Sequence, residues 1–173
     1  SFNTYTPTSL KEFFRDCTGL NEITGLKYLN TAEVTDMSYM FYNCKKLSSL
    51  DLSNFNTTKV ENMFGMFFDC ENLSSLVISN FNTANVTDMS YMFYYCKNLS
   101  SLDIPNFNTA KVTNMLYMFY FCQKLTELNL SNFKTEKVKN MSNMFGFCNM
   151  LEKLNLSNFN TANVTDMSGM FYG

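Results

Sequence analysis

Six cysteines carry most of the reactive chemistry in this 173-residue chain, and histidine, their usual catalytic partner, is absent. Cys17 precedes Cys44 by 27 residues, and Cys70, Cys96, Cys122 and Cys148 then follow at intervals of 26. Zinc sites are built on close pairs such as C-x2-C, and no such pair occurs, so no metal or cofactor is expected. Equivalent thiols stacked about 4.8 Å apart would come near bonding distance, but a column of identical sites favours no pairing. Buried free cysteine packs as a small hydrophobe, and reduced core packing is the expectation, ahead of disulfides or a metal. Without histidine, Ser-His and Cys-His nucleophile systems are unavailable. Gly19, Gly25, Gly65, Gly146, Gly169 and Gly173 form no phosphate-cradling loop of the G-x-x-x-x-G-K-[ST] or G-x-G-x-x-G kind. Asp51 and Asp103 occupy the same place two repeats apart with Val77 between them, and carboxylates about 10 Å apart are too loosely paired for acid–base work. The chain is therefore not expected to be an enzyme.

Binding is the better class. Positions that a helical register turns outward carry Tyr39, Tyr42, Phe64, Phe68, Tyr91, Tyr94, Tyr95, Leu116, Tyr117, Tyr120, Phe121 and Phe147, and the stretch from Met115 to Cys122 is apolar nearly all round. A segment apolar on every side needs a second surface to bury it, and broad exposed apolar patches mark interaction sites. Tyr91, Tyr94, Tyr95, Leu116, Tyr117, Tyr120 and Phe121 are the candidate partner-binding residues, suited to a protein partner or self-association, or to a glycan. The structural alternative is that these rings lean across adjacent repeats and shield one another. The opposite face, with Ser49, Asp51 and Ser53 and their equivalents, is small and polar at first and then charged, and it offers no aromatic or arginine anchor.

The elements that position these residues follow from one motif, F-N-T-x-x-V-x-x-M-x-x-M-F-x-x-C-x-x-L-x-x-L-x-L. Its valine stands at Val34, Val60, Val86, Val112, Val138 and Val164, each step 26 residues. A fixed period of that size is the signature of a solenoid whose coils are buried by their neighbours. Within a coil, Val34, Met37, Met40, Phe41, Cys44 and Leu47 recur at threes and fours, predicting a short helix with one buried face. Thr35 is its expected N-cap and Asp36 its expected dipole partner; Glu61-Asn62 and Lys139-Asn140 depart from that pattern and should start their helices less crisply. Leu50 and Leu52 alternate with polar residues, predicting a short strand with one buried face. Thr31, Thr57, Thr83, Thr109, Thr135 and Thr161 form an unbroken column, while the asparagine column beside it is interrupted by Lys134. These hydroxyls are expected to satisfy turn backbone; the rival reading is a flat face for ice or a crystalline polymer.

Composition narrows the classes further. A hydrophobic share of 46% and net charge of −2 argue against disorder and against an electrostatic nucleic-acid or membrane binder. No run approaches the roughly 20 apolar residues of a membrane span, and the polar opening Ser1–Thr8 lacks the apolar core of a signal peptide. The chain stops partway through a coil at Phe171-Tyr172-Gly173 without a polar cap, so we expect a fragment of a longer protein, with its anchor and signal sequence elsewhere.

Leu47-x-x-Leu50-x-Leu52 matches the LxxLxL core of leucine-rich repeats. Phe41-x-x-Cys44-x-x-Leu47, with V-T-D-M-S-x-M-F and the 26-residue period, resembles the BspA-like bacterial leucine-rich repeat surface proteins, in the branch seen in Listeria and Mycoplasma lipoproteins. The expected fold is an α/β, right-handed leucine-rich-repeat solenoid with one short parallel strand and one short helix per coil. It forms a single domain over 1–173: a degenerate first coil at 8–33, regular coils over 34–163 and a truncated last coil at 164–173. The resemblance implies a cell-surface or secreted bacterial scaffold for adhesion or protein binding. A glycan-binding module and a purely structural spacer are the alternatives.

Overall fold

The structure is a computed structural model that describes residues 5–173; the opening Ser1–Thr4 lies outside the described residues. The chain is a repeat solenoid. One column of parallel bridges runs along it, from Ser9 to Asp36, Asn62, Asp88, Asn114, Asn140 and Asp166. On the opposite side lie four three-residue strands, β1 (Ser49–Asp51), β2 (Ser75–Val77), β3 (Glu127–Asn129) and β4 (Lys153–Asn155). They pair in parallel as β1–β2 and β3–β4, with Leu50 opposite Leu76 and Leu128 opposite Leu154. The strand expected over 101–103 is missing, so the sheet is split in two.

The expected helices are not formed. Among the described residues the one helical element is a single 3-10 turn, Leu26–Tyr28. Each predicted helix is instead a run of tight turns. Met40 N–H donates to Met37 C=O at 3.2 Å, Tyr42 to Tyr39 at 3.0 Å and Cys44 to Phe41 at 3.2 Å. Tyr39 and Asn43, the third residues of two of these turns, have φ of 55° and 60°, as turns with a left-handed third residue require. The intervening N–H groups leave the coil: those of Met37, Tyr39, Phe41 and Asn43 donate to Asn62, Phe64, Met66 and Phe68 of the next coil at 2.8–3.0 Å. An α-helix would satisfy nearly all these groups internally and leave the coils joined by side chains alone. The spacing of threes and fours was real, but three-residue turns generate it as readily as a helix does. Val34, Met37, Met40, Phe41, Cys44 and Leu47 are all fully buried.

The capping expectations change accordingly. Thr35 caps no helix; its hydroxyl donates to Thr8 C=O. Asp36 accepts from Ser38 N–H at 2.8 Å, opening the turn run from its own side chain. Asn62 does the same for Phe64 at 3.0 Å and Asn140 for Ser142 at 2.8 Å, so the coils expected to start less crisply start equally well. An amide oxygen accepts this bond as a carboxylate does.

Stacked side-chain columns fill the interior. Phe14, Phe41, Phe67, Phe93, Phe119, Phe145 and Phe171 stack at centroid spacings of 5.3–5.7 Å, with planes within 11° of parallel. The threonines are buried at 0–2% exposure from Thr31 to Thr135, which rules out a flat binding face made from them. Each hydroxyl bridges to one backbone residue of the next coil: Thr57 donates to Asn82 C=O at 3.0 Å and accepts from Asn82 N–H at 2.8 Å. Thr109 treats Lys134 identically, at 2.9 and 2.8 Å. The bond reads backbone, so the lysine interruption is tolerated.

All six cysteines are free thiols. Cys44, Cys70, Cys96, Cys122 and Cys148 each donate to the carbonyl of a phenylalanine in the preceding coil at 3.1–3.3 Å. Burial raises their pKa values, to about 12 for Cys44 and Cys148 and well above the ordinary thiol value for Cys70, Cys96 and Cys122.

Two outcomes follow. Phe93, fully buried, should cost roughly 3–5 kcal/mol when replaced by alanine, whereas Phe171, 59% exposed, should cost far less; denaturant titration of both variants measures the difference. A thiol with a higher pKa in the folded state holds its proton more tightly there. The stability it contributes is complete below the unfolded thiol value of about 8.5 and is lost as pH rises toward about 12. Denaturation midpoints should therefore fall through that interval, and Cys70→Ala with Cys96→Ala should flatten the decline.

Candidate functional site

The candidate residues lie on the outer side of the turn runs. Residues 39, 65, 91, 117, 143 and 169 form one column of the repeat; residues 42, 68, 94, 120, 146 and 172 form a second; and residues 43, 69, 95, 121, 147 and 173 form a third. The rings of the second column stack: Tyr42 on Phe68 at 4.9 Å, Phe68 on Tyr94 at 4.4 Å and Tyr94 on Tyr120 at 5.3 Å. In the third, Tyr95 meets Phe121 at 4.4 Å and Phe121 meets Phe147 at 4.4 Å. Within a coil the first and second columns meet edge to face, as at Tyr39–Tyr42 (85°) and Tyr117–Tyr120 (87°). The structure therefore brings Tyr91, Tyr94, Tyr95, Tyr117, Tyr120 and Phe121 into one aromatic wall. Leu116, one residue before Tyr117, holds the register position of Phe64.

All seven residues are half-buried, and the rings among them lie against neighbours in their own and adjacent coils. Tyr39 lies over Gly65, where an added Cβ would come within 2.8 Å of its ring, and Tyr120 lies over Gly146, where the distance would be 2.7 Å. Mutual shielding, the structural alternative raised above, accounts for much of the surface. The wall also extends beyond the candidate set in both directions, through Tyr39, Tyr42, Phe64 and Phe68 on one side and Phe147 on the other.

Charges border it. The Arg15 guanidinium sits 4.8 Å from the Tyr42 ring centre and pairs with Glu12 at 2.7 Å. Lys97 lies 4.7 Å from the Tyr95 ring and pairs with Glu71 at 3.2 Å. Glu71 also holds Lys45 at 3.0 Å, and that hydrogen bond is the chief cause of its lowered pKa. Burial, followed by the neighbouring tyrosines, pushes the Tyr94 phenol up to about 12. Burial likewise raises Tyr91 and Tyr120. Tyr91, Tyr94 and Tyr120 therefore stay uncharged across the physiological range.

One property of the wall leaves no mark in the hydrophobic pattern. Tyr39, Tyr91, Tyr95, Tyr117, Phe121 and Phe147 all have left-handed backbone, with φ between 55° and 62°. Bulky side chains rarely adopt it. Other coils place Gly65, Asn143 and Gly169, or Asn43 and Asp69, at the same columns, residues that accept this geometry readily. Glycine, asparagine and aspartate alternating with aromatics at one register position is the signal that would have revealed the turns.

The other candidates do not converge. Asp51 accepts from Ser53 N–H at 2.9 Å, which fixes the strand exit, and Asp103 lies on the unpaired segment between β2 and β3. Among the described residues no group of histidine, cysteine or acidic side chains could hold a metal ion, and no helix is long and apolar enough to cross a membrane.

No curated protein matches the chain. Among solved structures, the T. pallidum leucine-rich repeat protein TpLRR is similar at a TM-score of 0.46 and 18% sequence identity, over 79% of this chain and 66% of that one. The present chain thus spans just under two thirds of that relative's length. Residues 8–102 and again 99–173 match one family, described as "Mycoplasma protein of unknown function, DUF285". With both matches together spanning the solenoid from its first coil to its end, the chain belongs to the DUF285 family.

Proposed function

We propose that this solenoid is a non-enzymatic scaffold, displayed at the bacterial cell surface or secreted, that binds a protein partner through its aromatic wall. The observation that carries the reading is the left-handed backbone under Tyr91, Tyr95, Tyr117 and Phe121. A bulky residue held there costs about 1–2 kcal/mol, whereas an aromatic pair gains about 0.5–1.5 kcal/mol. Stacking therefore roughly cancels the strain, and the fold gains little from placing rings where glycine or asparagine fits freely. Strained residues gathered on one surface mark sites of function. The resemblance to BspA-like proteins supports adhesion as the role, and DUF285 membership supports a repeat scaffold of bacterial origin.

Two other readings have observations behind them. The spacer reading is supported by the half-burial of every wall residue. The glycan reading is weakened by the same geometry, because sugars pack on open ring faces and the faces of Phe68, Tyr94 and Tyr120 are covered by one another.

Replacing Tyr94, Tyr117 and Tyr120 together by serine separates them. The wild type should retain a specific host or bacterial protein in pull-downs, and the triple variant should lose it while circular dichroism and melting stay cooperative. Retention by both proteins would sink the wall as the site, signal on a carbohydrate array would favour the glycan reading, and silence in both assays would leave the spacer. Tyr91→Asn with Tyr117→Asn should also leave stability within about 1 kcal/mol of wild type, measured by denaturant titration.

A further inference from the structure

We propose that Ser101–Pro105 is a one-sided joint, at which the strand face of the solenoid opens and closes while the turn face stays fastened. The strand ladder runs coil to coil elsewhere: Leu52 N–H donates to Val77 C=O at 3.0 Å and Leu130 N–H to Asn155 C=O at 3.1 Å. The equivalent donors, Ile78 in the preceding coil and Ile104 within the segment, have no backbone acceptor among the described residues. Ser74 N–H reaches Ser48 C=O at 2.9 Å and Glu152 reaches Thr126 at 2.9 Å, but the corresponding bond from Thr126 to Ser100 is stretched to 3.5 Å. An open groove of about 830 Å³ lies there, lined by Leu102 and Asp103 together with residues of β3 and β4.

The cause is legible in one residue. Ser53, Ser131 and Ser157 donate their N–H groups to Asp51, Asn129 and Asn155 side chains at 2.9–3.0 Å, fixing the exits of β1, β3 and β4. Pro105 holds that register position and has no N–H to give to Asp103. Its ring also restricts the backbone of Ile104. On the turn face nothing is interrupted: Asp88 bridges Asn114, Phe93 stacks on Phe119 at 5.4 Å, and Thr83 and Thr109 bridge to the following coils.

The joint would change the curvature of the strand face, whatever surface a partner occupies.

Amide exchange measured by NMR on the whole chain tests this directly. Ile78 and Ile104 should exchange at least about ten-fold faster than Leu52 and Leu130, whose side chains are equally buried. Pro105→Ser, which restores the residue of the other coils at an exposed position, should bring Ile78 and Ile104 to within about three-fold of those references. Dyes on introduced thiols at Asp51→Cys and Lys153→Cys should report a broader distance distribution in the wild type than in the Pro105→Ser background. Equal protection at all four amides would overturn the break, unchanged exchange after Pro105→Ser would overturn the role of the proline, and identical distance distributions would overturn the motion.

Discussion

Every other feature of this molecule depends on how its backbone N–H groups are shared. Along the turn runs they alternate, as from Met37 to Cys44, one closing a turn within the coil and the next crossing to the coil beyond. A buried backbone donor left without a partner costs about 1–3 kcal/mol, so a coil buried on both sides must settle each of its donors. The alternation does this while fastening neighbours together at every second residue. It also fixes the turn geometry, because the chain has to reverse its local twist at Tyr39 and Asn43 to bring the crossing groups into line. The left-handed positions, the phenylalanine stack and the aromatic wall all follow from that requirement.

The coil spacing set by those bonds decides what the side chains can do. Rings repeated at the same register position are brought to 4.4–6.4 Å in the interior and in the well-stacked columns outside, close to the favourable range for aromatic pairs. Inside, this makes a continuous rod of phenylalanine. Outside, it makes a surface whose ring faces are largely taken by neighbours. The thiols from Cys44 to Cys148 obey the same geometry: each finds a carbonyl in the preceding coil rather than a second sulfur. A column of cysteines that reads as a candidate disulfide framework is in this fold a column of weak donors to carbonyls that also accept an N–H from their own coil.

The interior was legible from the sequence because burial depends on periodicity alone. Val34, Met37, Phe41, Cys44 and Leu47 face inward whether the chain between them is a helix or a succession of turns. Their spacing is the same in both cases, so spacing could not identify the element. What distinguishes them is the tolerance of the outward columns for glycine, asparagine and aspartate, seen at Gly65, Asn43 and Asp69, and that is visible only when repeats are compared by column. The outward rings from Tyr39 to Phe147 were legible because they break amphipathic expectation. Their strain was not visible, since backbone conformation leaves no trace in hydrophobicity. The absence of a strand at 101–103 had a single-residue signal, Pro105, submerged in a repeat that otherwise predicts a strand in every coil.

The threonine column has a wider consequence. Each hydroxyl engages the amide and carbonyl of a neighbouring residue and is indifferent to that residue's side chain, as Lys134 demonstrates. The contact between successive coils is thus written in a code that every amino acid except proline can satisfy. Coils joined by such a rule are interchangeable: one can be copied, deleted or transplanted and still meet its new neighbours correctly. Arrays of this kind can lengthen or shorten by recombination between repeats without any compensating mutation at the seam.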